Sequence, residues 1–356
     1  MKRDERVCPA GRRRPVVIET HEQRGIPIPD STQCEHARGR SQEEALLTDR
    51  IKVLYIAGWG RSGSTLMGTI LGQLEGFVHM GELRHIWGRG LIENRLCGCG
   101  VPLQQCEHWK AVLAKAFGAE NGVDPREMIR LRERGTRTQH IPFMYLPGGA
   151  ELMRNRLGKF LTSLESLYRS IGEVTGCRVI VDSSKNPAYG YALATIPAIE
   201  LYVLHLVRDP RAVAFSWLRR KLYGEKQGYM EQMAPISSSI KWNLWNIGTS
   251  RLRKSAVNSM LLRYEDLVAK PRDAVQSIID MIQERVPVPP SVTEESVDIG
   301  VSHTAWGNPN RLETGTVTLR SDDEWKVAMK SETKYAVVST TLPLLWRYGY
   351  LSKKYE

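Results

Sequence analysis

Residues 52–65 read KVLYIAGWGRSGST, and the fold class is predicted first from these residues. Its first six residues form an apolar run with the length of one buried strand, and Gly58 ends the run. Beyond the stretch, apolar residues recur at helical spacing: Leu66, Met67, Ile70, Leu71 and Leu74. The predicted order is strand, tight loop and helix, and the free N–H groups at the start of such a helix attract a phosphate or a sulfate.

The loop matches the ATP-binding pattern G-x-x-x-x-G-K-[ST] in its two glycines and in Thr65, but Ser64 stands at the lysine position and Arg61 is the nearest cation. Because the lysine that grips the β- and γ-phosphates is missing, a P-loop kinase or NTPase is the disfavoured alternative. Asp182, which follows a later apolar run, is the best support for that alternative, since a Walker B acid holds Mg²⁺ from this position. The same aspartate equally suits an Asx turn or a helix N-cap.

Further apolar runs at 178–181, 201–207 and 260–263 predict strands, and helical patterns lie between them. Strands that alternate with helices and are apolar on both faces predict an α/β fold, a central parallel sheet flanked by helices with ligands at the carboxyl ends of its strands. Segment 77–108 lacks a clean period, so we expect it to be irregular. Segments 77–108 and 119–150 both interrupt the α/β pattern, so we expect them to line the pocket of the second substrate.

The composition limits the class of protein. With 356 residues, 42% of them hydrophobic, the chain is long enough for one large or two ordinary domains. No apolar run approaches the roughly 18 residues of a bilayer span, so we expect no transmembrane segment. Six cysteines do not make a disulfide scaffold in a chain of this length, and no apolar segment follows the basic N-terminal residues, so the expected location is cytoplasmic.

The formal net charge of +11 indicates an anionic ligand. Residues 1–50 hold ten Lys and Arg against nine acids, so nearly the whole surplus lies beyond them. Residues 1–48 show no sustained period and are predicted to be a disordered leader, whereas residues 49–356 are predicted to form a single domain with insertions near 77–150. Acids interrupt the basic run at 110–137 and no nucleic-acid motif is present, so nucleic acid is not an expected partner.

The loop sequence RSGST at 61–65 resembles the 5′-phosphosulfate loop of sulfotransferases that use 3′-phosphoadenosine 5′-phosphosulfate (PAPS) as donor. Three further segments match that family in the same order along the chain. Arg208 and Ser216 have the spacing of the Arg and Ser that hold the donor's 3′-phosphate. Residues 263–267, RYEDL, match a segment whose Tyr lies near the adenosine, and residues 306–325 resemble the loop that closes over the donor.

This resemblance spans roughly residues 51–350 and implies a P-loop NTPase-like sulfotransferase fold. It also implies sulfuryl transfer from PAPS to a hydroxyl of a small-molecule, glycan or lipid acceptor, without a required metal. The likeness is to the branch that uses a Glu base, with bacterial, carbohydrate and tyrosine-protein members. The residues implied for donor binding are Arg61, Ser62, Gly63, Ser64, Thr65, Arg208, Ser216, Arg220, Tyr264, Arg311 and Arg320.

Three catalytic residues follow from the same resemblance. Glu82, in a Gly-Glu pair, matches the family's Glu base, and His79 and His85 beside it are the alternative bases. Lys185 aligns with a lysine that reaches the transferring group in the tyrosine-protein branch. Arg61 and Lys185 are therefore expected to neutralise charge on the bridging oxygen of the donor.

Cys97, Cys99, Cys106 and His108 supply four soft ligands within twelve residues, enough for a zinc knuckle. Their spacing, C-x-C-x6-C-x-H, is not a common structural-zinc pattern. A buried cluster, or a cysteine pair in a loop over the acceptor site, is therefore favoured over a metal site.

Overall fold

The computed structural model describes residues 50–118, 122–220, 222 and 229–351. These residues belong to the second of the two units into which the chain divides, residues 49–356. The predicted leader at 1–48 lies outside the described residues. None of the helices in the described part of the chain combines the length and the apolar composition needed to cross a bilayer.

Five strands, all parallel, form the central sheet in the order β2-β3-β1-β4-β5. They are β1 (Ile51–Ala57), β2 (Phe77–Gly81), β3 (Val179–Lys185), β4 (Ile199–Val207) and β5 (Asn258–Arg263). A separate antiparallel pair follows, made of β6 (Ser296–Ile299) and β7 (Gly315–Thr318). The predicted α/β class with a central parallel sheet is confirmed.

Helices connect the strands and pack on the sheet. In chain order they are α1 (Ser64–Leu71), α2 (Glu107–Phe117), α3 (Pro125–Glu133), α4 (Gly149–Thr175), α5 (Pro187–Leu193), α6 (Pro210–Leu218), α7 (Pro235–Leu252), α8 (Tyr264–Ala269), α9 (Pro271–Met281), α10 (Glu324–Ala328) and α11 (Ser331–Arg347). Four of the shorter helices begin with proline, which suits the first helical position because no intrahelical partner is needed there.

Successive apolar side chains of β1 point to opposite faces of the sheet, which explains why helices cover both faces. Val53 and Tyr55 belong to one apolar core, which includes buried side chains of α4 and α5. Leu54 and Ile56 belong to a second core on the other face, with buried side chains of α1 and α9. Each such buried aliphatic side chain contributes about 1.5–3 kcal/mol. With both faces covered, ligands reach the sheet only at the ends of its strands.

Strand β2 corrects the prediction that residues 77–108 are irregular throughout. Its sequence, FVHMG, is short and contains a histidine, so no alternation of apolar and polar residues marks it. His79 is nevertheless buried, because its Nε2 lies 3.0 Å from Ser183 Oγ on β3. The neighbouring strand thus pairs with Nε2 of His79, whereas its buried Nδ1 has no hydrogen-bond partner among the described residues.

We expect His79 to make the protein less stable in mild acid. Burial, and then the charge of Lys185, lower the pKa of His79 from 6.5 to about 3. The unfolded chain therefore takes up this proton at a higher pH than the folded chain, and stability is lost as the pH falls between these two values. Going from about pH 7.5 to about pH 5 costs about 2 kcal/mol through this residue.

Urea unfolding at the two pH values, for the wild type and for His79→Gln, measures this contribution. The variant should show the smaller difference in unfolding free energy, because glutamine does not titrate. Equal differences in the two proteins would show that His79 is not the residue responsible.

Candidate functional site

A cavity of about 860 Å³ opens at the carboxyl ends of the parallel strands. Ten of the sequence-predicted site residues line it: Arg61, Gly63, Ser64, Thr65, Glu82, Lys185, Arg208, Ser216, Tyr264 and Arg320. Three predicted residues, Ser62, Arg220 and Arg311, are not among its lining residues. The cavity thus brings together most of the predicted site residues, which lie up to about 260 positions apart in the sequence.

The loop before α1 depends on Gly63. Its φ of +89° is left-handed, and a Cβ there would lie 2.5 Å from Cδ2 of Tyr264, so only glycine fits. No side chain caps α1, and Gly63, Ser64 and Thr65 line the cavity. The first N–H groups of a helix have no intrahelical acceptor, so this end of α1 can bind an anion.

Arg61 also has a left-handed backbone, with φ of 69°. Its guanidinium lies 4.8 Å from the ring of Trp217 and donates a hydrogen bond to Sδ of Met230 at 3.3 Å. The side chain of Ser62, by contrast, is buried and does not line the cavity. The loop therefore directs one cation and two hydroxyl groups, those of Ser64 and Thr65, to the cavity wall.

Glu82 and Lys185 form an ion pair at the ends of neighbouring strands. Glu82 follows β2, and its N–H donates to the carbonyl oxygen of Trp306 at 2.8 Å. Lys185 ends β3 with φ of 66°, at a shift in the pairing of β3 with β1. Its Nζ donates to Oε1 of Glu82 and, at 3.4 Å, to the carbonyl oxygen of Ser183. The two predicted catalytic residues are thus in direct contact, which the sequence did not show.

His85 is the alternative base that lines the cavity. Its Nε2 lies 3.7 Å from Oε2 of Glu82, in a short 3₁₀ turn that follows β2. Desolvation, and then the positive charges of Arg84 and Arg132, lower the pKa of His85 well below its usual value. A group with such a low pKa is a weak proton acceptor near neutral pH. His79, the other alternative, is buried away from the cavity.

Arg208 is held rigidly at the end of β4. Only 8% of its side chain is exposed. It donates from Nη1 to the carbonyl oxygen of Arg61 at 3.0 Å and from Nη2 to Oδ2 of Asp322 at 2.7 Å. Its guanidinium also lies 4.4 Å from the ring of Tyr264. Ser216, eight residues later on α6, lines the same cavity.

Arg220, which the resemblance implied for donor binding, lies beyond the end of α6. Helix α6 ends at Leu218, and Arg219 has extended dihedral angles, so Arg220 is not on the face of Ser216. Arg219 lines the cavity instead and pairs with Asp322 at 3.5 Å. Arg220 is exposed, with its guanidinium 3.6 Å from the ring of Tyr229. No glycine or proline in residues 218–223 marks the end of the helix.

Arg311 is tied to another part of the chain. It lies in a 3₁₀ turn, Pro309–Leu312, and is buried. Its Nη2 donates to the carbonyl oxygen of Leu96 at 2.7 Å, and its guanidinium lies 5.6 Å from the ring of Trp306. In this structure the side chain supports the wall of the cavity from behind, whereas Arg320 lines it directly.

The expected pocket segments differ in their relation to the cavity. From 77–108, Glu82, His85 and Arg89 line it, but none of the described residues at 122–150 does. In the latter segment Met128, Ile141 and Met144 are core residues.

The charges around the cavity balance. Six cations line it, Arg61, Arg89, Lys185, Arg208, Arg219 and Arg320. Six acids line it as well, Glu82, Glu231, Glu313, Asp322, Asp323 and Glu324. Within the described part of the chain, the overall positive surplus is therefore not concentrated in this lining.

Asp182 has the structural role that the sequence allowed. Its Oδ1 accepts from the N–H of Ser184 at 2.8 Å, as in an Asx turn, and its Oδ2 accepts from the hydroxyl of Tyr168. Complete burial raises the pKa of Asp182 to about 6. The carboxyl group does not line the cavity and its oxygens are used within the core, so it is not placed as a Walker B acid.

The chain was compared with protein families, curated sequences and solved structures. The model of the sulfotransferase family matches residues 54–287. Comparison with curated protein sequences gave no match. Among solved structures, the chain is similar to sulfotransferase STF9 from Mycobacterium avium, with 11% identity, coverage of 88% of this chain and 80% of that one, and a TM-score of 0.38. It is also similar to a sulfotransferase from Alicyclobacillus acidocaldarius, with 11% identity, coverage of 84% and 94%, and a TM-score of 0.37.

The family match runs from β1, through the phosphate loop, Glu82, Lys185, Arg208 and Tyr264, to the residues just after α9. It covers more than half of the chain. The chain therefore belongs to the sulfotransferase family and is a sulfotransferase enzyme.

Proposed function

We propose that this enzyme transfers a sulfuryl group from PAPS to a hydroxyl of a small-molecule, glycan or lipid acceptor. The observation that carries the proposal is the convergence of the family-matching donor and catalytic positions on one cavity. They come from the ends of β1, β2, β3 and β4 and from the starts of α1 and α8. Separate elements would not place these residue types together without a shared ligand to hold.

The residues present fit such a donor. The uncapped start of α1, with the hydroxyls of Ser64 and Thr65, would hold the phosphosulfate. Arg208 and Ser216 would hold the 3′-phosphate, because a guanidinium fork suits a phosphate. The ring of Tyr264, which closes over Gly63, would contact the adenosine. Arg320 lines the same cavity, and Arg220 and Arg311 belong to the proposed donor set only if their side chains move.

PAPS, when bound, supplies an activated sulfuryl group and an anionic leaving group. Glu82 would accept the proton of the acceptor hydroxyl as the new O–S bond forms. Lys185 would stabilise the negative charge that grows on the leaving group, together with Arg61 and the N–H groups of the loop. Before reaction, Lys185 holds the carboxylate of Glu82 in place through their ion pair. These steps use charged side chains of the chain itself, so the proposal includes no metal.

The kinase or NTPase alternative has less support. Ser64 stands in place of the P-loop lysine, and the carboxylate oxygens of Asp182 accept hydrogen bonds from Ser184 and Tyr168. The four described cysteines are unpaired, which is compatible with the predicted reducing cytoplasm; that location stays a prediction.

We expect calorimetry to show that 3′,5′-adenosine bisphosphate binds without Mg²⁺ and that Mg-ATP does not compete with it. The Arg208→Met variant should bind the bisphosphate about 10- to 100-fold more weakly, the loss of one or two hydrogen bonds from a charged group. Arg130→Met is the matched control, because Arg130 is exposed on α3 and does not line the cavity, and it should change the affinity little.

Two outcomes would overturn the proposal. Binding of ATP only in the presence of Mg²⁺ would favour the kinase class. Steeply salt-dependent binding to DNA, with no bisphosphate binding, would favour a nucleic-acid-binding protein.

A further inference from the structure

Three cysteines and one histidine converge beside the catalytic cavity. Cys97, Cys99 and Cys106 come from the segment between β2 and α2, and His303 comes from the segment after β6. One ligand atom of each lies within 4.8 Å of all the others. The sequence placed His108 as the fourth member of this group, whereas the structure places His303 there.

The separations suit a tetrahedral zinc ion. The two sulfurs of Cys99 and Cys106 are 3.7 Å apart. Nδ1 of His303 lies 3.8 Å from the sulfur of Cys97 and 3.3 Å from that of Cys106. Zinc bonds of about 2.3 Å to sulfur and about 2.0 Å to nitrogen give tetrahedral edges of about 3.8 and 3.5 Å. A disulfide would need a sulfur separation of about 2.05 Å, and all four described cysteines are free.

The backbone brings the two segments close enough for shared ligation. The N–H of Gly98 donates to the carbonyl oxygen of Thr304 at 3.0 Å. A Cβ on Gly98 would lie 2.5 Å from Oγ of Ser302, so any larger residue would push the segments apart. On the other side, Nε1 of Trp109 donates to the carbonyl oxygen of His303 at 2.9 Å. These contacts place the two segments side by side.

Burial and stacking orient the ligating atoms. Cys97 and Cys106 are buried. The ring of His108 stacks on that of His303, with centroids 4.6 Å apart and an interplanar angle of 10°. His108 therefore supports the ring of His303 from one face, while Nδ1 of His303 lies next to the sulfurs of Cys97 and Cys106. Such an outer contact holds a ligating ring in its orientation.

We propose that Cys97, Cys99, Cys106 and His303 bind one structural Zn²⁺ ion. Four protein ligands close the coordination sphere, so the ion has no open position for a substrate. Each of the three thiols gives up its proton on binding, and with a neutral histidine the bound site carries one net negative charge. This site is independent of the donor assignment.

The zinc ion would connect directly to the wall of the catalytic cavity. Two residues past His303, the N–H of Ala305 donates to the carbonyl oxygen of Met80 at 2.8 Å. The next carbonyl oxygen, that of Trp306, accepts from the N–H of Glu82. Trp306 and Gly307 then line the cavity. Zinc at His303 would therefore hold the segment that positions Glu82.

Metal analysis of the full chain, purified without a histidine tag, should find about one zinc per chain. Exchange with Co²⁺ should produce the strong visible absorption of a tetrahedral site together with a thiolate-to-cobalt charge-transfer band. Removal of zinc by a chelator should lower the Tm, because the binding free energy is then lost to the folded state. If the wild-type protein held no zinc and gave no such spectrum with Co²⁺, the proposal would be overturned. This result does not depend on whether the variants fold.

Matched variants test the ligand assignment. Cys99→Ser and His303→Asn should lose zinc, whereas Cys177→Ser and His108→Asn should keep it, since these two residues lie outside the cluster. If His108→Asn lost zinc and His303→Asn kept it, the fourth ligand would be His108, as the sequence suggested. That result would overturn the role of His303. Binding of 3′,5′-adenosine bisphosphate, measured in parallel, distinguishes failure of this site from failure of the donor proposal.

Discussion

The Glu82→Gln enzyme is expected to turn over about 10²- to 10⁴-fold more slowly than the wild type, the usual contribution of a general base. Glutamine keeps the size of the side chain and can still accept the hydrogen bond from Lys185, but it cannot take a proton. The affinity for 3′,5′-adenosine bisphosphate should change little, because the proposed role of Glu82 is toward the acceptor. Steady-state kinetics with an accepted hydroxyl substrate, combined with calorimetry, separates these effects.

His85→Asn is the matched variant, because His85 lines the same cavity 3.7 Å from the carboxylate of Glu82. It should lose much less turnover than Glu82→Gln, since the low pKa of His85 makes it a weak base. If Glu82→Gln retained near wild-type turnover while His85→Asn abolished it, the base would be His85 and our assignment would be wrong.

The second large effect is expected at Lys185. Lys185→Met keeps most of the side-chain length but removes the charge, and we expect about a 10²- to 10³-fold loss in kcat, as for other groups that stabilise developing charge. Bisphosphate binding should persist, because Arg208, Ser216 and the loop at α1 are untouched. Lys185→Arg retains the charge and should recover part of the activity.

The ion pair between Lys185 and Glu82 complicates this result, because Lys185→Met also leaves Glu82 without its partner. A double variant, Glu82→Gln with Lys185→Met, shows whether the loss in Lys185→Met comes from the missing charge or from the unpaired Glu82. If the two residues act as one unit, the double variant should be about as slow as the slower single variant. Turnover of Lys185→Met at the wild-type rate would remove Lys185 from the catalytic group.

Local sequence patterns predicted those features of the cavity that depend on residues close together in the chain. The order of strand, glycine loop and helix at 52–71 follows from one contiguous run of residues, so this order was predictable. Arg208 and Ser216 lie on one strand end and the helix that follows it, and their spacing could be read directly. The carboxyl-edge rule for parallel strands then brought these groups to one cavity.

Contacts between distant segments could not be predicted in the same way. Lys185 and Glu82 meet because β2 and β3 are neighbours, although β2 precedes β3 by about 100 residues and its histidine hid the strand. His303 joins the cysteines across about 200 residues, so the nearby His108 was the more obvious fourth ligand. Arg219 lines the cavity and Arg220 does not, because helix α6 ends at Leu218. No glycine or proline in the sequence signals that end.

The pairing of Arg208 with Asp322 changes what the affinity for an anion means. In this structure the guanidinium already holds a carboxylate, whose side chain is 31% exposed. A 3′-phosphate that binds Arg208 would therefore displace Asp322, which is partly hydrated already and keeps its second contact, with Arg219 at 3.5 Å. The measured dissociation constant of the bisphosphate thus reports the difference between two ion pairs at one arginine, and it understates the strength of the phosphate contact itself.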